Sequence, residues 1–161
     1  MSWSRRKFLV LIPLALGACG FQPVYGPGGT GSALYGQVAV SEPDSVESYA
    51  LVQNLEQRLG RAGSAAYSLD VDIETATQGQ AITASNETTR YSIVGEASYT
   101  LTRLSDGTVV ASGDVENFTG YSATGSTVET LAGERDARER LMSMLADQIT
   151  TRLLTTTDLP A

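Results

Sequence analysis

The stretch Ser68-Leu69-Asp70-Val71-Asp72-Ile73-Glu74 alternates strictly between polar and apolar residues. Successive side chains of a β-strand point to opposite faces of a sheet, so this spacing predicts a strand that is buried on one face and solvated on the other. Leucine, valine and isoleucine form the buried face, and a serine and three carboxylates form the other. We therefore expect a sheet that is covered on one side only.

Two further alternating segments follow, Tyr91–Leu104 and Val109–Val115, on either side of Ser105-Asp106-Gly107. This arrangement predicts a β-hairpin. The polar segment between the first strand and this hairpin, Ala76–Arg90, is predicted to be a long loop or a pair of irregular strand extensions.

The register of the hairpin depends on the length of its loop. A two-residue Asp-Gly loop would set the apolar residues of the two strands on opposite faces. A three-residue loop, with Gly107 in the left-handed conformation, pairs Leu101 with Ala111 and brings the apolar faces together. We predict the three-residue loop, with these further residues on the shared apolar face: Ala97, Val109 and Val115.

Two amphipathic helices are predicted from capping boxes followed by helical spacing of apolar residues. Asp44-Ser45-Val46-Glu47 opens the first, with a buried stripe of Leu51, Val52, Leu55, Leu59 and Ala62. Ser126-Thr127-Val128-Glu129 opens the second, which runs to about Thr155 with a stripe of Leu131, Leu141, Leu145, Ile149 and Leu153.

A weakly alternating segment, Leu34–Val40, adds a first strand. The fold class is then α+β, with a mixed, mostly antiparallel four-stranded sheet and two helices packed on one face. This single domain is predicted to span residues 34–155, and residues 156–161 form a C-terminal tail.

Composition excludes several classes of function. The 161 residues include no histidine and one cysteine, so His/Cys zinc sites, Ser-His-Asp catalysis and internal disulfides cannot form. A net charge of −7 provides no basic surface for nucleic acid. No cofactor or metal is predicted, and the acidic spacing lacks an EF-hand calcium loop.

The N-terminus has the features of an export signal. Arg5, Arg6 and Lys7 precede the uncharged run Phe8–Ala18, which as a helix would cover about 16 Å and is too short to span a membrane. The Ser-Arg-Arg-Lys-Phe-Leu sequence is compatible with the twin-arginine route and with general secretion, and both remain open.

The run ends in Leu16-Gly17-Ala18-Cys19, which resembles a bacterial lipobox. We predict that residues 1–18 are a lipoprotein signal peptide and that Cys19 becomes the acylated N-terminus. By analogy with lipoprotein sorting, Gly20 in place of aspartate favours the outer membrane. Residues 19–33, rich in glycine and proline, are predicted to be a lipidated flexible tether.

Carboxylate catalysis is the remaining enzymatic hypothesis. Asp70, Asp72 and Glu74 line one strand face and Asp114 and Glu116 a neighbouring strand, so a glycosidase-type pair is conceivable. No apolar pocket is evident that would raise the pKa of one of them. We therefore predict that the protein is not an enzyme and that Asp70, Asp72 and Glu74 form a partner surface.

Arg90 and Arg103 flank the Tyr91 strand. They are candidate ligands for a phosphorylated lipid head group, although solvated edge residues are the alternative interpretation.

The lipobox with Cys19-Gly20-Phe21-Gln22-Pro23-Val24-Tyr25, the order of the elements, and the closing Ala146-Asp147-Gln148-Ile149 to Arg152-Leu153 together resemble the LptE family of outer-membrane lipoproteins. The resemblance implies a mixed sheet with two helices on one face. It also implies a role in lipopolysaccharide assembly as plug and assembly partner of the LptD β-barrel, and contact with lipopolysaccharide itself.

The residues agree with this resemblance in part. A solvated sheet face suits the polar interior of a large barrel. Without residues 1–18 the chain keeps eight basic against 18 acidic residues, a net charge of −10 that opposes binding of an anionic glycolipid. We therefore favour the plug role, in an outer-membrane lipoprotein that faces the periplasm and the barrel interior. A periplasm-facing lipoprotein that binds another lipidic or small ligand is the alternative.

Overall fold

The computed structural model describes residues 24–26, 29–82 and 88–156. Its elements follow one another along the chain as α1 (Thr30–Leu34), β1 (Val38–Val40), α2 (Val46–Leu59), β2 (Tyr67–Ile82), β3 (Thr88–Arg103), β4 (Val109–Ser122) and α3 (Thr127–Thr156). The predicted signal peptide and Cys19 lie outside the described residues.

The four strands form one sheet in the order β1-β2-β3-β4. β1 runs parallel to β2, and the other two pairs are antiparallel. Helices α2 and α3 pack against each other and against the same face of this sheet. The predicted α+β class and sheet composition are confirmed.

The core lies between the sheet and the two long helices. At its centre Gly95 of β3 faces α3, where a Cβ atom on residue 95 would lie 2.9 Å from Cδ2 of Leu141 and 3.3 Å from Cδ1 of Leu145. A glycine is therefore what allows α3 to approach β3 closely. The fully buried large side chains are Leu34, Leu51, Leu55, Leu69, Ile93, Leu101, Leu141, Met142, Leu145, Ile149, Leu153 and Val38.

The segment Ala76–Arg90 is mostly strand, so the loop alternative was wrong and the strand extensions were right. β2 continues to Ile82 and β3 begins at Thr88, with register irregularities between Gly79 and Ile82. The polar residues of this segment are exposed on both faces of the sheet, so they show no hydrophobic alternation. Their backbone groups nevertheless form hydrogen bonds across the β2–β3 pair.

The β3–β4 hairpin has the predicted register beyond its loop: Leu101 lies opposite Ala111 and Ala97 opposite Val115. The loop itself is longer than predicted. The N–H of Arg103 donates to the Thr108 carbonyl at 2.8 Å. This hydrogen bond closes a loop of four residues, 104–107, between Arg103 and Thr108.

A register shift next to Leu101 compensates for this extra loop residue, because Thr102 lies opposite Val109 and leaves Val110 as a bulge. Val109 is consequently 55% exposed. The prediction that Val109 shares the buried face was wrong.

Gly107 adopts the left-handed conformation that was predicted for the loop, with φ of 69°. Replacing Gly107 with valine should destabilise the protein by about 1 kcal/mol or more, because a β-branched residue is strained at positive φ. A Cβ atom at Gly107 would meet nothing within 4 Å, so the backbone alone causes the effect. Thermal denaturation measures it.

Gly63→Val is the matched control, since Gly63 also has open space around its Cβ position but no positive φ. Equal melting temperatures for the two variants would contradict the role assigned to the Gly107 conformation.

Helix α3 begins where its capping box predicted, whereas the N-cap of α2 lies one residue after Asp44, the N-cap of the predicted box. At α2 the N-cap is Ser45, whose hydroxyl accepts from the N–H of Ser48 at 3.1 Å. Glu47 instead binds Arg138 of α3 at 3.0 Å and thereby joins the two helices. At α3 the predicted box forms, with the Ser126 N–H donating to Oε2 of Glu129 at 2.7 Å.

Three predictions about burial and local structure were wrong. Leu131 of α3 is 59% exposed and lines an open groove with Thr88 and Tyr91 of β3. Leu34 is buried but ends helix α1, so the predicted strand Leu34–Val40 is reduced to Val38–Val40. Residues Thr30–Ala33, which were assigned to the tether, are helical, and the Gly31 N–H donates to the Val24 carbonyl at 2.9 Å.

Candidate partner surface on the open sheet face

The face of the sheet opposite the helices carries carboxylates in direct register on three strands. Glu96 of β3 lies between Glu74 of β2 and Glu116 of β4. The adjoining row consists of Asp72, Ser98 and Asp114. These five carboxylates and Asp70 are all exposed. We call these six acids the acidic face: Asp70, Asp72, Glu74, Glu96, Asp114 and Glu116.

The structure thus brings the predicted surface residues Asp70, Asp72 and Glu74 together with acids of two other strands. Asp114 and Glu116 were recognised from the sequence, but Glu96 was missed. Its signal was present, since Glu96 lies out of phase with the apolar residues Ile93, Ala97 and Tyr99. Only the strand register shows that it sits between two other glutamates.

Like charges that lie opposite each other on neighbouring strands repel, which lowers the stability of the isolated domain. The arginine–carboxylate pairs that join the helices use other acids, namely Asp147 with Arg58 at 2.5 Å and Glu47 with Arg138 at 3.0 Å. The acidic face therefore retains a concentrated negative charge in a solvated position. Such a surface is suited to contact with a polar or basic partner.

The six carboxylates of the acidic face are exposed to solvent, so this face presents negative charge on the surface of the sheet. Within residues 24–26, 29–82 and 88–156, no group of three or more candidate ligands is arranged to hold a metal ion.

An apolar row follows the carboxylates toward the far end of the sheet. Phe118 of β4 lies opposite Val94, which lies opposite Ala76 of β2. Phe118 is 68% exposed. The sequence pattern does not single out Phe118, because one phenylalanine on the polar face of a strand indicates nothing until its neighbours on that face are known.

Arg90 and Arg103 do not form one site. Arg90 lies near the start of β3 and Arg103 at its end, thirteen positions apart, which separates them by about 43 Å. Arg103 lies at the loop end, where its guanidinium binds Asp106 at 3.2 Å. The pKa of Arg103 is raised, mainly by its hydrogen bond with Tyr67 and further by Asp106.

Arg90 is exposed at the opposite end of the sheet, beside Ser122 of β4. Near that end the rings of Tyr91 and Tyr121 stack at 5.3 Å between centroids. Burial raises the pKa of Tyr121, and the charge of Glu134 raises it further. This phenol therefore stays neutral at physiological pH.

Helix α3 is long enough to cross a bilayer but carries charged residues throughout its length. In the described part of the chain, no helix combines the length and hydropathy of a membrane span.

Comparison with known proteins identifies a family and a fold. The sequence model of LptE, described as lipopolysaccharide-assembly, matches residues 35–153. Curated protein sequences give no match.

Several solved structures share the fold. A lipoprotein from Caulobacter crescentus is 19% identical with a TM-score of 0.67, over 81% of this chain and 97% of that one. Rare lipoprotein B from Shewanella oneidensis is 10% identical with a TM-score of 0.58, over 74% and 93%. A minor lipoprotein from Acinetobacter baumannii is 14% identical with a TM-score of 0.56, over 78% and 98%.

Proposed function

Because the chain belongs to the LptE family of lipopolysaccharide-assembly proteins, we propose that it is a non-catalytic outer-membrane lipoprotein that plugs the LptD β-barrel and assists its assembly. The family match covers the whole of the sheet and nearly all of α3. Family membership supports a role in lipopolysaccharide assembly, and the LptD barrel as partner is the more specific part of the proposal.

The one-sided sheet is the observation that carries this proposal. The buried core lies between the sheet and α2 and α3, while the open face carries the acidic face, hydroxyl groups and one apolar row at Phe118. The interior of a large outer-membrane barrel is polar and lipid does not reach it. A domain whose open face is mostly polar suits that interior.

The membrane anchor in this proposal is Cys19. Each buried CH₂ of an acyl chain contributes about 0.8 kcal/mol, and more than one chain gives lasting attachment. We propose the outer membrane as the protein's location, which membership of the family and the residue after the cysteine, Gly20, support.

Contact with lipopolysaccharide is proposed for one of the two candidate arginines. Arg90 is exposed at the far end of the sheet, and the groove nearby is lined by Thr88, Tyr91 and Leu131. A guanidinium beside exposed apolar groups suits a phosphorylated lipid. Arg103 is held by Asp106 at the other end and is left out of this proposal.

The alternative function, binding of a separate lipidic or small ligand, receives less support. The grooves among the described residues are open, and their linings include many charged side chains, as in the groove formed by Glu96, Asp114, Glu116, Asp147 and Arg152. A lipid-binding site is normally an enclosed apolar cavity.

Copurification tests the proposed function. A tagged full-length protein extracted in mild detergent should bring down LptD in stoichiometric amount. The variant Asp70→Asn/Asp72→Asn/Glu74→Gln should recover less of the barrel, because it removes charge from the proposed contact surface, and should melt slightly higher because like charges are removed.

The control Glu56→Gln/Asp136→Asn/Glu139→Gln removes three charges from helix surfaces and should recover the barrel normally. Absence of LptD from the wild-type preparation would refute the plug role. Normal recovery and normal lipopolysaccharide export with the first variant would remove Asp70, Asp72 and Glu74 from the interface.

A further inference from the structure

β2 has an outer edge that is paired only at its beginning. Among the described residues, β1 pairs with β2 at Tyr67, Ser68 and Leu69 and no further. The chain then turns away through Ser41 and Pro43 into α2. From Ile73 onward, β2 is therefore an edge strand of the described sheet.

The hydrogen bonds near this point show which backbone groups face outward. The Leu69 carbonyl accepts from the Ser41 N–H at 2.9 Å, and the Val71 N–H donates to Oγ of Ser41 at 3.4 Å. Backbone groups of one strand alternate in direction. Ile73 and the next two odd-numbered residues, Thr75 and Thr77, thus direct their N–H and C=O groups away from β3.

This edge borders a groove of about 500 Å³ between β2 and the start of α2. Its apolar lining is provided by Leu51 and Val52 of α2 and by Val71 and Ile73 of β2. An extended segment added beside Ile73–Thr77 would place every second side chain over these apolar groups.

The intervening side chains of such a segment would meet negative charge. On the open sheet face they would lie beside Asp72 and Glu74, which are both exposed. Glu42 and Asp44 line the same groove. Charge complementarity therefore selects basic residues at these positions.

Neither a second copy nor this chain's own ends fit these requirements. Two copies joined edge to edge would bring two acidic faces together. Residues 20–57, 83–87 and 153–161 contain no lysine or arginine, so no neighbouring segment of the mature chain supplies the complementary charge.

We propose that the β2 edge from Ile73 to Thr77 binds, by strand addition, an extended segment of a protein partner in which basic residues alternate with apolar ones. The proposal is independent of the identity of the barrel partner, because its test uses a synthetic peptide of this pattern. Exposed, unpaired edges are the usual templates for such pairing.

The test measures binding of an alternating valine–arginine octapeptide to the full-length protein in mild detergent. The wild type should bind it, and salt should weaken the binding. Thr75→Pro should weaken binding by about tenfold or more, since proline lacks the outward N–H but leaves the β3 ladder intact. Thr75→Ala keeps the N–H and should bind as the wild type does.

Amide hydrogen exchange in the wild type provides a second measurement that does not depend on the folding of Thr75→Pro. The peptide should slow exchange at Ile73, Thr75 and Thr77, whose amides face outward. A peptide of the same composition with its valines and arginines in separate blocks should protect none of them.

Three results would overturn the proposal. These are failure of the wild type to bind the alternating peptide, undiminished binding by folded Thr75→Pro, and protection of Asp114 and Glu116 on β4 in place of the β2 amides. Loss of LptD from copurification would refute the plug role and leave this proposal standing.

Discussion

Leu145→Ala should lower the free energy of unfolding by about 2–5 kcal/mol, the cost of removing a large side chain from a closely packed core. Leu145 is completely buried, and its Cδ1 lies 3.3 Å from the position that a Cβ on Gly95 would occupy. Collapse around the cavity is limited, because β3 and α3 already approach each other closely here. Chemical denaturation of the full-length protein in mild detergent measures the change.

Leu131→Ala is the matched control on the same helix. Leu131 is 59% exposed, so this substitution should change the free energy of unfolding by no more than about 0.5 kcal/mol. Comparable losses in the two variants would mean that the N-terminal turns of α3 pack against the sheet after all.

Cys19→Ser should move the protein from the membrane fraction to the soluble fraction. In the proposed function the acyl chains on Cys19 provide the membrane anchor, and serine cannot carry the thioether-linked chain. The described core begins at Leu34, so the released protein should remain folded. Fractionation of cells that lack the barrel partner, with a circular dichroism spectrum of the released protein, measures both effects.

Gln22→Ala, three residues further along, leaves the lipobox intact and should stay in the membrane fraction. Membrane retention of Cys19→Ser in the same cells would refute the anchor, and release of both variants would show that another feature of this segment holds the protein.

Local patterns in the sequence were sufficient for much of the fold. Alternation at Leu69–Ile73 placed one strand and its two faces. The capping boxes placed the start of α3 at Ser126 and the start of α2 within one residue of Ser45. The resemblance to the LptE family is also visible in the sequence. These features depend on residues within a few positions of one another, which is the range that periodicity and capping report.

Features that depend on distant segments were missed or left open. The exposure of Leu131 depends on what the start of α3 packs against, and the four-residue β3–β4 loop with its bulge at Val110 depends on pairing between two strands. Neither is visible in one helical stripe or one turn motif.

The candidate site divides in the same way. Sequence alone determined that Asp70, Asp72 and Glu74 are kept out of the core, because alternation fixes the face of each side chain within its strand. Tertiary structure alone decided that Glu96 lies between Glu74 and Glu116, and that β1 leaves the edge beyond Leu69 unpaired. Packing of the whole domain, rather than any local pattern, sets which strands become neighbours and over how many residues they pair.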